Sequence, residues 1–230
     1  MNDYSLDASR RAWEENAEFW DAQMGDHSNR YHREVVRPCV TKLLEPVPGD
    51  FILDAACGNG NYSAYLAELG ARVVSFDYSP KMVALAKARR AALLDKVEFC
   101  VANAADAASV AALRREQPYT KAVCNMAFMD MTEIAPLLSG VHDLLDMGGI
   151  FVFATQHPCF VTLTDRYKAP HAYFGEAISG QPVQQCYYHR SLTDLLAPCF
   201  AAGFSVTGLL ESYWKDKETP DVLTVRLQKL

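Results

Sequence analysis

The chain has 230 residues, half of them apolar and 22% charged, an ordinary balance for a water-soluble globular domain with one large core. Its net charge of −6, with no concentrated Lys/Arg face, argues against a nucleic-acid partner. Seven cysteines without a C-x-x-C pair point to a reducing cytoplasm and no structural zinc, and with no secretory leader and no run of about eighteen apolar residues, no membrane association is expected.

Residues 1–48 read as an N-terminal helical lid, with Phe19 and Trp20 on its apolar side. Next, short apolar runs alternate with helical patterns, which predicts stacked βαβ units and a mostly parallel sheet. The first strand spans 51–57, and a helix follows from 59 to 69, closed by Gly70. The second strand ends at Asp77. Ser79 and Pro80 suit the cap and first turn of the next helix, with Met82, Val83, Leu85 and Ala86 inward. Its basic cluster, Lys87, Arg89 and Arg90, reads as a solvated face.

Further strands are predicted at 96–102 and 119–127 around a short helix. Leu137, Leu138, Val141, Leu144 and Leu145 form a helical stripe, and Met147-Gly148-Gly149 ends that helix before a fifth strand at 150–156. From 157 to 190 the pattern turns irregular and aromatic, with Phe160, Tyr167, Tyr173, Phe174, Tyr187 and Tyr188. A final helix containing Pro198 leads into two strands whose short polar connection suits a hairpin, giving the sheet an antiparallel edge.

The informative stretch is Ile52–Leu66, ILDAACGNGNYSAYL, where a strand passes through a small turn directly into a helix. Open α/β sheets bind ligands at the carboxyl ends of their strands, and a helix N-terminus there offers unpaired N–H groups. Gly58 and Gly60 let a ligand approach the backbone, and Asp77, ending the next strand, can accept both hydroxyls of a ribose. A nucleoside-bearing cofactor follows. The glycine spacing does not match G-x-G-x-x-G, which disfavours NAD and FAD.

The segment from Ile52 to Arg89 resembles the cofactor half of class I S-adenosylmethionine-dependent methyltransferases, whose first motif maps onto Asp54, Ala56, Gly58 and Gly60. The resemblance implies that Gly58 and Gly60 face the methionine part of the cofactor, Asp77 holds its ribose, and Asp54 anchors the turn or meets its amino group. Tyr78 and Met82 fall in the same cofactor-binding set. Asn103 and Ala104 stand where the family holds the adenine, with Asp106 as the fallback. Asn125 and Met126 would neighbour the methionine moiety, and Tyr31 in the lid would meet its carboxylate.

The implied fold is α/β and Rossmann-like: one doubly wound domain with a mostly parallel seven-stranded sheet, an antiparallel last strand and helices on both faces. Its parts are the lid (1–48), a cofactor-binding core (49–156), a substrate-covering insert (157–190) and a C-terminal helix with a β-hairpin (191–230). The implied reaction is methyl transfer from S-adenosyl-L-methionine to a small-molecule oxygen or nitrogen, leaving S-adenosyl-L-homocysteine. No metal or nucleic acid takes part, and the protein is a monomer or homodimer. The alternatives are a nicotinamide-dependent oxidoreductase and a non-catalytic binder of the cofactor.

His157 follows the fifth strand at the cofactor edge and is a candidate general base, or a loop histidine bonded to backbone. His189 and the pair Tyr31-His32 are further candidates, each also readable as structural. Cys57 and Cys124 lack an adjacent histidine, so a thiol nucleophile is not expected.

Overall fold

Alternation of apolar residues along the strands lets each strand serve two cores. In β1 (Phe51–Ala55), Ile52 faces one layer of helices and Leu53 the other. In this computed structural model, residues 5–161, 166–215 and 218–230 are described. The remaining strands are β2 (Arg72–Asp77), β3 (Val97–Val101), β4 (Tyr119–Asn125), β5 (Leu145–Gln156), β6 (His171–Gly175), β7 (Gln185–His189), β8 (Phe204–Ser212) and β9 (Val222–Lys229). Seven of them form one sheet in the order β3-β2-β1-β4-β5-β9-β8, parallel from β3 to β5.

One face is covered by α2 (Arg37–Leu44), α3 (Asn61–Glu68) and α4 (Pro80–Arg89) through Val40, Leu66 and Val83. The other carries α5 (Ala107–Ala111), α6 (Ala135–Leu144) and α8 (Leu192–Ala201) through Val110, Leu137 and Leu195. Each fully buried Leu, Val or Phe contributes about 1.5–3 kcal/mol of transfer free energy. The order reverses beside β1, which opens a crevice at the carboxyl ends of β1 and β4. α1 (Leu6–Met24) lies across α4 and β7.

Several local expectations are met. Ser79 accepts the Met82 N–H at 3.0 Å and Pro80 opens α4, whose Met82, Val83 and Ala86 are buried. A full capping box at Ser191 starts α8, which runs through Pro198.

Three expectations need correction. Met147-Gly148-Gly149 does not precede β5 but forms a bulge within it: Tyr119 pairs with Leu145, yet Lys121 pairs with Ile150. The insert is not irregular, because β6 and β7 form an antiparallel hairpin, preceded by the short α7 (Pro158–Val161). The Phe160 side chain and residues 162–165 of the predicted insert lie outside the described residues. The expected antiparallel hairpin closes this end of the sheet, with β9 inserted between β5 and β8 and Val222, Leu223, Val225 and Leu227 fully buried. Finally, of the basic cluster only Lys87 is solvated. Arg90 is only 9% exposed and Arg89 pairs with Asp21 and Asp26, residues too distant in sequence for local patterning to reveal.

No helix among the described residues is long and apolar enough to cross a membrane.

Candidate active site

The turn after β1 is made by three left-handed steps, at Ala56 (φ 55°), Gly58 (φ 55°) and Gly60 (φ 72°). Glycine adopts this region without penalty, whereas at Ala56 it costs about 1–2 kcal/mol, strain of the kind that collects at functional sites. The fold-back aims the Gly58 N–H at Asp77 Oδ2, 2.9 Å away, while Asp77 Oδ1 accepts the Ser79 N–H at 3.0 Å. Burial pushes the Asp77 carboxyl up to about 6, against the pull of these bonds. Asp54, 1% exposed beneath the turn, accepts the Ser63 hydroxyl at 2.6 Å. Burial, with the charge of Asp77 added, pushes it up to about 7.

At the neighbouring strand end Met126 is also left-handed (φ 52°), its N–H bonded to the Ala154 carbonyl at 2.7 Å. Beside it, Asn125 Oδ1 is buried without a hydrogen-bond partner. The 3₁₀ turn Phe128–Asp130 follows, fixed by Phe128 stacking on Phe153 at 4.3 Å between ring centres. It presents Asp130, 8% exposed, whose Oδ1 accepts the Trp13 indole N–H at 3.2 Å.

These strand ends line a cleft roofed by α1 through Trp13, Trp20 and Met24. The two indoles meet edge to face at 5.2 Å, and a Cβ on Gly58 would stand 3.7 Å from Trp20 Nε1. The roof is tied to the turn by charge: Arg89 donates to both Asp21 oxygens at 2.7 and 2.6 Å, and Asn59 Nδ2 donates to Asp21 Oδ1 at 2.9 Å.

Asp54, Ala56, Gly58, Asp77, Tyr78, Met82, Asn103, Ala104, Asn125 and Met126 all line this cleft. Gly60 does not. It caps α3 and faces the core, where a Cβ would meet the Phe99 ring at 2.7 Å. Asp106 also lies outside the cleft, capping α5 through the Ala108 N–H. Asn103 lines it, but its carbonyl oxygen accepts the Ala105 N–H at 3.0 Å, a local turn rather than an open acceptor. Tyr31 packs on Trp214, and the neighbouring His32 takes the cleft position instead. A π-helical turn, His32–Val36, begins there. Burial lowers His32 to about 4, so the ring is neutral.

The histidine candidates stand elsewhere. His157 is 2% exposed and outside the cleft; Nδ1 accepts the Cys159 N–H at 3.1 Å, which puts the proton of the neutral ring on Nε2, 2.9 Å from Glu211. Burial lowers its pKa more than Glu211 raises it, and no lone pair faces the cleft. His189 is bonded through Nε2 to the Tyr167 carbonyl at 2.9 Å, also outside the cleft. Burial pushes the Cys57 and Cys124 thiols well up, which removes them as nucleophiles. Sequence reasoning missed Trp13, Asp130 and the Asp21–Arg89 tie. A charged residue inside the apolar run Phe128–Met131 was the available signal for Asp130.

Known proteins resemble this chain in sequence and fold. A methyltransferase-domain family model matches residues 47–203. An uncharacterised methyltransferase of Synechocystis is 32% identical over 117 residues, 48% of this chain and 49% of that protein. An rRNA uracil methyltransferase of Acidithiobacillus ferrooxidans is 44% identical over 63 residues, 26% of this chain and 14% of that protein. The chain thus spans about half, or much less, of the length of these relatives. Among solved structures, one from Listeria monocytogenes described as an S-adenosylmethionine-dependent methyltransferase superposes with a TM-score of 0.69 at 20% identity, covering 87% of this chain and 97% of that one. With more than half of its length matched, the chain belongs to the methyltransferase-domain family, and its fold is that of the class I S-adenosylmethionine-dependent enzymes.

Proposed function

We propose that the protein methylates a small-molecule oxygen or nitrogen, with S-adenosylmethionine as donor and S-adenosylhomocysteine as by-product. The observation that carries this reading is one cleft holding three features together. These are a bare backbone turn at Gly58, the Asp77 carboxylate beside it, and the unpartnered Asn125 Oδ1 opposite. They fit a nucleoside joined to an amino acid: Asp77 accepts ribose hydroxyls, Tyr78, Met82, Asn103 and Ala104 flank the base, and Asn125 Oδ1 accepts from an amino group. Such a donor supplies a methyl group already activated on positive sulfur, so the protein's tasks are to align the acceptor and exclude water. The indole roof serves the second task.

A small acceptor is favoured over RNA by charge. The net charge is −6, and the arginines beside the cleft are engaged internally: Arg89 by Asp21 and Asp26, Arg37 by the His27 carbonyl and Ser28. Calorimetric titration with S-adenosylmethionine, S-adenosylhomocysteine and NAD is the test, with Asp77→Ala as control. Saturable binding of the two adenosyl ligands, weakened in the variant, is expected; binding of NAD alone would overturn the reading. Methyl transfer to an rRNA transcript, with none to small molecules, would overturn the acceptor class alone.

A further inference from the structure

Asp130 occupies the seam between the cofactor end of the cleft and the parts that cover it. On one side, the charge of Asp77 reaches it. On another, α1 supplies the Trp13 indole N–H, and Ser9, one helical turn earlier, contacts the Tyr78 hydroxyl at 3.1 Å. On the third side β7 packs on the Phe128–Asp130 turn and on α1. Tyr173 and Tyr187 of the β6–β7 hairpin are pushed upward by burial and then by the charge of Asp130. An acceptor reaching the cofactor beneath the hairpin therefore meets Asp130.

Among the described residues no cation pairs with the carboxyl. Among the described residues its only hydrogen-bond donor is Trp13. The arginine best placed to neutralise this turn, Arg190, instead donates to the carbonyls of Phe128, Met131 and Thr132 at 3.0, 2.6 and 2.8 Å. It clamps the backbone and leaves the carboxyl alone. Burying a carboxylate without a counter-ion costs several kcal/mol, so burial favours the protonated form of Asp130 and holds its pKa well above the ordinary value. The surrounding aromatic walls, Trp13 and Trp20 edge to face with Tyr78 beside them, attract positive charge over their faces.

We propose that Asp130 and the Trp13–Trp20 wall form the acceptor subsite and that the group they receive is an amine, arriving as its ammonium ion. This rests on the methyl-transfer reading and narrows its acceptor from oxygen or nitrogen to nitrogen. The ammonium supplies the missing counter-ion and displaces the proton held by the carboxyl. A buried carboxylate of high proton affinity can then take a proton from the ammonium. One N–H bond breaks, its electron pair stays on nitrogen as the lone pair a methyl acceptor needs, and the proton lands on Asp130 Oδ. An alcohol brings no charge, and so gains nothing from a carboxylate there.

The test uses the full chain saturated with S-adenosylhomocysteine and titrates it calorimetrically with phenethylamine and with its neutral counterpart 2-phenylethanol. The amine is expected to bind about ten- to a hundredfold more tightly than the alcohol, and Asp130→Asn to abolish that preference. The amide oxygen can still accept the Trp13 N–H and is nearly isosteric, so the variant keeps the fold. Titration of the amine in two buffers of different ionisation enthalpy should show proton release to solvent in the wild type and none in Asp130→Asn. Equal binding of amine and alcohol, or a preference that survives in Asp130→Asn, overturns the proposal. Loss of S-adenosylhomocysteine binding in Asp130→Asn also overturns it, by assigning the carboxyl to the cofactor. Failure of the wild type to bind S-adenosylhomocysteine at all is the separate failure of the methyl-transfer reading.

Discussion

The two sides of the cleft are built by different means. The cofactor side is a matter of backbone: left-handed residues at Ala56, Gly58 and Met126, and N–H groups of Gly58 and Ser79 fixed on one carboxylate. Its parts come from neighbouring strand ends in a parallel sheet. The acceptor side is a matter of side chains from distant segments, Trp13 on α1 meeting Asp130 after β4 and Asn16 bonding both the N–H and the carbonyl of Val183 near β7. Backbone geometry is shared by every sheet of this topology, whereas side-chain meetings belong to one chain. A fold can therefore reveal its cofactor while keeping its acceptor private.

If that division holds, the two sides share only the core beneath them. Phe128→Ala should break both at once, losing about 3–5 kcal/mol in urea unfolding, because Phe128 is fully buried and stacked on Phe153. A stable variant with an intact cleft would show that the Phe128–Asp130 turn does not depend on the core.

The cofactor side also gives the ligand-free protein a pH dependence. Folded Asp54 (about 7) and Asp77 (about 6) hold protons that ordinary carboxyls of the unfolded chain have released, so stability should rise as pH falls from about 7.5 to about 5. His32, lowered to about 4, and His157, also lowered, act in the opposite direction below their ordinary 6.5, two imidazoles against the raised carboxyls of Asp54, Asp77 and Asp130. Unfolding midpoints across this range should show the rise, and Asp77→Asn should reduce it, leaving the share of Asp54. A stability that falls on acidification would mean that neither acid is buried in solution.

Smaller effects should separate the sides. Asp77→Ala is expected to weaken S-adenosylmethionine binding by about 1–3 kcal/mol, the scale of hydrogen bonds to a charged group, while leaving amide exchange in α1 unchanged. Arg89→Ala should do the reverse. Removing the tie to Asp21 should cost about 1 kcal/mol and speed exchange in α1 over Leu6–Met24, with β1 to β4 unaffected. Equal exchange throughout would make lid and core one unit.

The same division explains what was legible in the sequence. The β1 turn, Asp77 and the Ser79-Pro80 helix start announce themselves within a few residues, because turns and caps are local chemistry. The terminal hairpin was equally plain from two apolar runs and a polar connection. What escaped depends on partners far along the chain. Arg89 and Arg90 look solvated until Asp21 and Asn61 are beside them. Tyr31 and His32 cannot be told apart until Trp214 stands beside the first and the cleft beside the second. His157 stands at the expected strand end, yet Glu211 from β8 and the Cys159 N–H claim its nitrogens. The β6–β7 hairpin was hidden by its long loop and by aromatic residues that read as a covering segment.

The insertion of β9 into the interior of the sheet governs when the molecule can be finished. Ile150 pairs with Gln228 and Gln156 with Val222, so the outer edge of β5 has no neighbour until residues 222–229 have left the ribosome. During synthesis the half carrying the cofactor turn can assemble while β5, with Phe151, Val152, Phe153 and Ala154 fully buried in the finished fold, presents an unpaired apolar border. The nascent chain is thus most prone to mispairing just before β9 emerges, and any change that slows the docking of β9 prolongs that exposure.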